Sequence, residues 1–515
     1  MRSTIGFLAL VMLLIAAHSA PALIIDVPGD STTIQAGING AASGDTVMVA
    51  AGTYTGNGNR DLDLFGKAIL VTSVNGPRKT IIDCQGNSLD PHRGFYFNNG
   101  EGSGSVIQGF TIRNGWAADG GAVYCWDASP TISGNIIELN EAATAGGGIF
   151  CATFASPTIT DNIIAANQAL GGGGIYCWEN SNPTISDNLI EANLAVMEGG
   201  GIFLYVMCSG TISGNTIRGN IGMGMGGGIC CGASFPMIVD NTIEMNVGER
   251  GGGGIACWYY SSPVIDRNTI AGNMSMTTSG GGVWCYQMSS PAMDGNTVTA
   301  NHASNGGGIG CDTGSYPTVT NSILRANVAS VNPEIYVGSL STITVTYSDV
   351  DGGWPGTGNI NADPTFVLPG NQDYRLLWGS PCIDAGQSGL SDPDGTPRDM
   401  GAHFFDQSTQ LTIYVTPDSP HVVPGGQLGV TYTVINRQAQ PVPFSLWTDV
   451  ILSNGGTLAL LGPNSYTMPG NFTVQQYMSH NVPGAAPHNR YQYRSCVGVH
   501  PGTIYDQDMF SFLVP

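Results

Sequence analysis

The sequence predicts an all-β chain, a parallel β-helix of about eleven coils followed by a small β-sandwich. Three observations predict it. First, a unit such as Pro157-Thr-Ile-Thr-Asp-Asn-Ile-Ile-Ala-Ala-Asn167 returns as Pro183-Thr-Ile-Ser-Asp-Asn-Leu-Ile-Glu-Ala-Asn193, and Pro130, Pro157, Pro183, Gly210, Pro236, Pro263, Pro291 and Pro317 mark it at 26 to 28 residue spacing. Second, aliphatic residues align in three columns headed by Ile132, Ile137 and Ile149. One inward β-branched residue per strand suits parallel strands stacked ~4.8 Å apart, so each unit should contribute three short strands. Third, 75 glycines, 42% hydrophobic residues and only 10% charged residues exclude disorder and a helical bundle.

Each element follows in chain order. Arg2, an apolar run from Ile5 to Ala17 and the small residues Ala20-Pro21-Ala22 read as a secretory leader over residues 1–22, with Leu23 the expected mature start. The run is too short to span a bilayer, and no integral membrane segment is expected after cleavage. A secreted or extracellular location, free or associated with the cell surface, is expected. The β-helix is expected over 23–345, its closing segment over 346–409 and the sandwich over 410–515. The sandwich is read from Leu428, Val430, Tyr432 and Val434, which alternate between Pro-Gly turns.

Charge narrows the partners. Sixteen Lys and Arg face 37 Asp and Glu, a formal charge of −21, with Lys67 and Lys79 the only lysines. A surface this acidic repels phosphate backbones, so no nucleic-acid partner is expected. Calcium-binding nonapeptide repeats are excluded because the glycine runs lead into Ile-Tyr-Cys-Trp or Ile-Phe-Cys-Ala, with no aspartate ligand.

These residues resemble the right-handed parallel β-helix proteins of bacterial surfaces, whose architecture is shared with pectate lyases and polygalacturonases. Thr33-Ile-Gln-Ala-Gly-Ile38 and Gly44-Asp-Thr-Val-Met-Val-Ala-Ala-Gly-Thr-Tyr54 are similar to that group's capping helix and first coil. Asp373-Tyr-Arg-Leu-Leu-Trp-Gly-Ser-Pro-Cys-Ile-Asp-Ala-Gly386 and Asp392-Pro-Asp-Gly-Thr-Pro-Arg-Asp-Met-Gly-Ala402 look like its closing segment. The resemblance implies right-handed winding, and the alternating C-terminal segment reads as an immunoglobulin-like accessory module. It implies no chemistry, because the acid sets and the Arg, Lys or His of the related enzymes have no counterpart pattern here.

Four repeated columns carry candidate roles. Cys125, Cys151, Cys177, Cys231, Cys257, Cys285 and Cys311 form one, and like residues stacked inward are expected to pack as buried free thiols. Asn135 to Asn296, and Asn140 to Asn327 five residues later, are expected to form amide ladders along the turns. Asp161 and Asp187 stand in a turn column shared with Gly134 and Gly214. One coil apart, they approach the ~5 to 5.5 Å separation of a retaining glycosidase pair, and the same residue types suit a left-handed turn. Glu191, Arg218 and Glu244 read as a solvated charge ladder.

Trp126, Trp178, Tyr205, Trp258 and Tyr286 follow the cysteine column by one residue, where alternation points them outward. Such a strip is a carbohydrate-contact candidate, or a set of rings packed on one another, and Gly232 interrupts it. Function is therefore expected to be non-catalytic presentation of an extended face to polysaccharide or cell envelope. The alternatives are a polysaccharide lyase or glycoside hydrolase, with Asp161 and Asp187 as its catalytic candidates, and a structural spacer. No metal and no cofactor is implied.

Overall fold

The computed structural model describes residues 22–452, 455–487 and 489–514. The leader expected over 1–22 lies, up to residue 21, outside them. From Ile24 to Val350 the chain winds as a parallel solenoid of four sheets. The Thr-Ile-Ser sheet has 13 strands, Ile24–Val27 to Thr344–Thr346, and the Ile-Ile sheet has 12, Gly52–Tyr54 to Asp349–Val350. The cysteine sheet has 11, Leu62–Asp63 to Ile335–Val337, and a short sheet has 9, Trp116–Asp119 to Val328–Val331. Two expectations are thereby corrected. There are thirteen turns rather than eleven, and four strands per full coil rather than three, the fourth often only two residues long, as at Gln168–Ala169.

Stacking of like on like holds the solenoid. Ile132, Ile159, Ile185, Ile212, Ile238 and Ile265 pair in register and are inaccessible to solvent, as are the columns of Ile137 and Ile149. Each such side chain contributes about 1.5–3 kcal/mol by leaving water. The helix Ile34–Gly40, N-capped by the Thr33 hydroxyl, lays Ile34 and Ile38 over the open first coil. All twelve cysteines are buried and unpaired, with Cys125, Cys151 and Cys177 opposite one another in register.

Both asparagine columns are continuous hydrogen-bonded ladders. Asn162 Nδ2 donates to Asn188 Oδ1 at 3.0 Å and to the Ile132 carbonyl at 2.8 Å, and its backbone N–H donates to the same Oδ1 at 2.9 Å. The second ladder ends where Asn327 donates its backbone N–H and its amide to the two carboxyl oxygens of Glu334. Burial pushes the Glu334 carboxyl up to about 7. The folded state therefore holds a proton that the unfolded chain releases from its ordinary value of 4.5, so the contribution of this group to stability is fully present below about pH 4.5 and is lost as pH rises through 7. Glu334→Gln, whose single amide oxygen can accept both bonds as the asparagines do, is expected to recover stability on the order of 3 kcal/mol at pH 8 and nothing at pH 4, read from denaturation midpoints.

The C-terminal domain has seven antiparallel strands, β1 (Thr412–Pro417), β2 (Gln427–Asn436), β3 (Val442–Ile451), β4 (Thr457–Met468), β5 (Phe472–Asn481), β6 (Asn489–Val499) and β7 (Thr503–Val514). They form sheets in the orders β1-β2-β5 and β4-β3-β6-β7 around Val430, Tyr432, Tyr493 and Val497. Tyr491, early in β6, donates its hydroxyl to the Pro487 carbonyl at 2.7 Å, a corner bond found in immunoglobulin-type sandwiches. These antiparallel sheets are consistent with the immunoglobulin-like module.

The segment between the two domains joins them. Leu376, Cys382 and Met400 pack on Ile323 of the Ile-Ile sheet, while Val367 and Phe405 pack on Tyr414 and Ile435 of the sandwich. Arg375 grips Asp373 through two bonds of 2.8 and 2.6 Å, reaches Asp508 at 2.6 Å and lies 4.3 Å over the Tyr414 ring. The sandwich is consequently seated on the Ile-Ile sheet. Glu191, Arg218 and Glu244 lie beneath it and are not the solvated ladder expected. Arg218 pairs with Glu191 at 2.7 Å and contacts His421, and Glu244 is buried.

Candidate functional site

Strand alternation in the cysteine sheet sorts each four-residue strand into two inward and two outward positions. The first outward position carries Tyr96, Tyr124, Phe150, Tyr176 and Phe203 on five successive strands, with ring centroids 4.9, 5.3, 5.7 and 4.9 Å apart. Phe150 and Phe203 are buried in this pile. Arg93 caps it, its guanidinium 5.2 Å over Tyr96 and 4.8 Å over Tyr124. The second outward position carries Trp126, Trp178, Tyr205 and Trp258, and Tyr286 follows the strand Val283–Cys285.

These five rings are held, not loose. Trp126 is exposed and lies parallel to Tyr124 at 6.3 Å, and Tyr286 stacks on the buried Trp284 at 4.6 Å. Gly232 does not break the strip. Tyr205 and Trp258, two coils apart, close over it with centroids 5.9 Å apart and planes within 4°. A Cβ at residue 232 would stand 2.7 Å from Trp258 Nε1 and 2.8 Å from Tyr205 Cδ2, so only glycine admits this contact. Neighbouring rings thus cover part of each other's faces; Trp126 is exposed, and Trp178, Tyr205, Trp258 and Tyr286 are partly buried.

A second column borders the strip and escapes sequence reading. Four of these strands are followed by turns, Thr153-Phe154, Val206-Met207, Tyr259-Tyr260 and Gln287-Met288, whose residues all have φ between 52° and 64°. Left-handed backbone costs a non-glycine residue roughly 1–2 kcal/mol. The turns nonetheless project Phe154, Met207, Tyr260 and Met288, all more than half exposed. The only signal in the sequence was the recurrence of a large apolar residue two after the strip position.

Asp161 and Asp187 stand elsewhere. Together with Asn188, Gly214 and Thr216 they form one wall of a cleft of ≈ 460 Å³, whose other wall is Ile451, Leu452, Arg490, Gln492 and Ser511 of the sandwich. Both aspartates are exposed, at φ 56° and 58°, matching Gly134 at 61° and Gly214 at 65° in the same column. Among the described residues no group of three or more His, Cys, Asp or Glu is placed to hold a metal ion, and no helix is long and apolar enough to cross a membrane.

The right-handed β-helix region family matches residues 59–197 and 201–367, more than half of the chain. The chain belongs to that family. A search of curated proteins finds no match. Among solved structures, the chain is similar over 21% of its length to the alkylpurine DNA glycosylase AlkC of Pseudomonas fluorescens bound to DNA containing an abasic site analog, with 11% identity, a TM-score of 0.18 and 32% of that chain covered. It is similar over 20% of its length to Spo0M, a sporulation control protein of Bacillus subtilis, with 15% identity, a TM-score of 0.16 and 49% of that chain covered. The chain thus spans a third to a half of the length of these structures.

Proposed function

We propose that this β-helix protein is a secreted or cell-surface recognition protein that does not catalyse a reaction and holds carbohydrate or envelope polymer along its aromatic strip. One observation carries the reading. Trp126, Trp178, Tyr205, Trp258 and Tyr286 recur along one face of the solenoid, with Ala152 and Gly232 at the intervening heights, bordered by exposed apolar residues on costly left-handed backbone. Strained residues and exposed aromatic patches concentrate where a surface meets a ligand. The leader-like start of the sequence supports secretion, and the charge of −21 argues against a polyanionic nucleic-acid partner.

The test is a glycan array and a polysaccharide retardation assay on the mature chain beside a Trp126→Ala, Trp178→Ala, Trp258→Ala variant. Each ring contact is worth about 0.5–1.5 kcal/mol, so the triple variant is expected to bind at least about 10-fold more weakly. Binding of no glycan, or equal binding by the variant, would overturn the reading. The cleft at Asp161 and Asp187 favours a second reading, a polysaccharide lyase or glycoside hydrolase acting where the domains meet. Cleavage of pectin, alginate or related polymers, abolished by Asp161→Asn, would establish it instead.

A further inference from the structure

A sandwich of two sheets has four edge strands, and three of them here are closed to further pairing. The N–H groups of Ile413 and Val415 on β1 donate to the Asp506 and Asp508 carboxylates of β7 at 2.8 and 2.7 Å. The outer side of β7 is met by residues 420–422, where the Val422 N–H donates to the Leu513 carbonyl at 2.9 Å and the Leu513 N–H to the Pro420 carbonyl at 2.7 Å. β4 carries Pro463, and its register with β3 shifts near Leu461. β5 has none of these guards. Its ten residues, Phe472–Asn481, pair with β2 in one unbroken register, and among the described residues no strand or loop pairs with its other side. Natural edges are blunted by proline, bulges or charge, because a row of free N–H and C=O groups otherwise recruits another strand. Between Asp449 and Arg490 the sequence holds no Asp, Glu, Lys or Arg, and Phe472, Val474 and Tyr477 are all exposed.

We propose that β5 is a homodimerisation edge, at which a second copy of this chain adds its own β5 in antiparallel pairing and makes one continuous sheet across a twofold axis. The strand is its own complement. Centred on Gln476, the pairing uses nearly the whole strand, and on the side that faces the sandwich core it sets Val474 against Met478 of the second copy and Phe472 against His480 of the second copy. Moving the axis to Tyr477 gives up the contact of Val474 with Met478, and cross-strand pairs of this kind are what fix a register. Twofold pairing is the commonest symmetry of soluble oligomers. Charge points to the same edge. Each copy carries −21, so two copies repel wherever acids face each other, and they can touch where a long uncharged segment is presented. Asp418, on the outer face, accepts the Tyr477 hydroxyl at 2.9 Å and lies over Gly429 of β2, one strand back from the edge.

Sedimentation equilibrium of the full mature chain between about 1 and about 100 μM tests the proposal. The mass is expected to rise from that of one chain toward that of two, and to do so at lower concentration as salt is added, because salt screens the repulsion between copies. Gln476→Lys, at an exposed position on the axis, sets two ammonium groups face to face and should weaken the dimer at least about 10-fold with an unchanged thermal midpoint. Gln476→Cys should form a disulfide-linked dimer with oxidised glutathione, whereas Ser479→Cys, whose counterpart lies in the far half of the paired strand, should not. The native cysteines are buried and do not compete. The proposal is overturned if the chain stays monomeric at about 100 μM, if salt weakens the dimer, if Gln476→Lys dimerises as the parent chain does, or if Ser479→Cys cross-links and Gln476→Cys does not.

Discussion

Asn215→Ala is expected to destabilise the solenoid by about 4 kcal/mol or more, because it strands several buried groups at once. Asn215 is 1% exposed. Its Oδ1 accepts the Asn188 backbone N–H at 2.9 Å and the Asn188 amide at 3.0 Å. Its own amide donates to the Ile185 carbonyl at 2.8 Å, the Ser213 carbonyl at 3.0 Å and Asn241 Oδ1 at 3.0 Å. Alanine leaves those partners in a protein interior that water does not reach, at roughly 1–3 kcal/mol for each group left unsatisfied. The ladder itself supplies the control. At its far end the Asn296 N–H donates to Ser322 Oγ at 3.0 Å, so a hydroxyl can stand in for part of the amide. Asn215→Ser should therefore cost less than Asn215→Ala. Coils contact only their neighbours, so hydrogen exchange should rise first around residues 185–241 and only later at the ends. A uniform change along the solenoid, or a loss below 1 kcal/mol in the denaturation midpoint, would show that the ladder does not carry this load.

The same ladder explains what is legible in the chain. Isoleucine and asparagine columns recur at 26 to 28 residues because each position meets its own kind in the coil above, so selection for packing writes itself as a period. The coil count came out low because the opening strands Ile24–Val27, Thr46–Val49 and Leu70–Ser73 pair in the same sheet without the Pro-Thr-Ile motif. The fourth sheet was invisible because strands such as Leu194–Ala195 and Val247–Gly248 are too short to alternate.

Position relative to the solenoid axis was legible, whereas what covers a face was not. Outward placement of Trp126 and Trp178 followed from alternation. The contact between Arg218 and His421 joins residues 203 apart, and no local pattern marks it. The closure of Tyr205 on Trp258 depends on the absence of a side chain at Gly232, which a pattern of residues present reads as a gap. The apolar turn column was missed for the opposite reason. Phe154, Tyr260 and Met288 occupy backbone that propensity reserves for glycine and asparagine, so local preference argues against the arrangement that tertiary context enforces.

Gly200→Ala is expected to have an effect of similar size by a different route. Gly200 begins the turn into the strand Ile202–Tyr205, and a Cβ there would stand 2.5 Å from the Gly227 carbonyl oxygen of the next coil and 2.5 Å from the Ile221 carbonyl carbon. Both are backbone atoms, which cannot swing aside as a side chain would. Relief requires lifting one coil from the next, which stretches the bonds from Gly200 N to Gly226 O at 3.0 Å, Gly201 N to Gly227 O at 3.0 Å and Ile202 N to Gly228 O at 2.9 Å. The expected loss is about 4 kcal/mol or more, read as a lowered denaturation midpoint and a smaller soluble yield. Gly219→Ala is the matched comparison. Gly219 has φ 59° and nothing within 4 Å of its missing Cβ, so alanine there should cost only the roughly 1–2 kcal/mol of left-handed backbone. Gly200, unlike Gly219, is not among the glycines with left-handed φ, so a cost at Gly200 no larger than that at Gly219 would show that close approach of the coils is not what requires glycine there. If Gly200→Ala is far worse, the runs exist so that coils can approach, and the Gly-Gly-Gly that recurs before most strands of the cysteine column is a spacing device rather than a ligand loop.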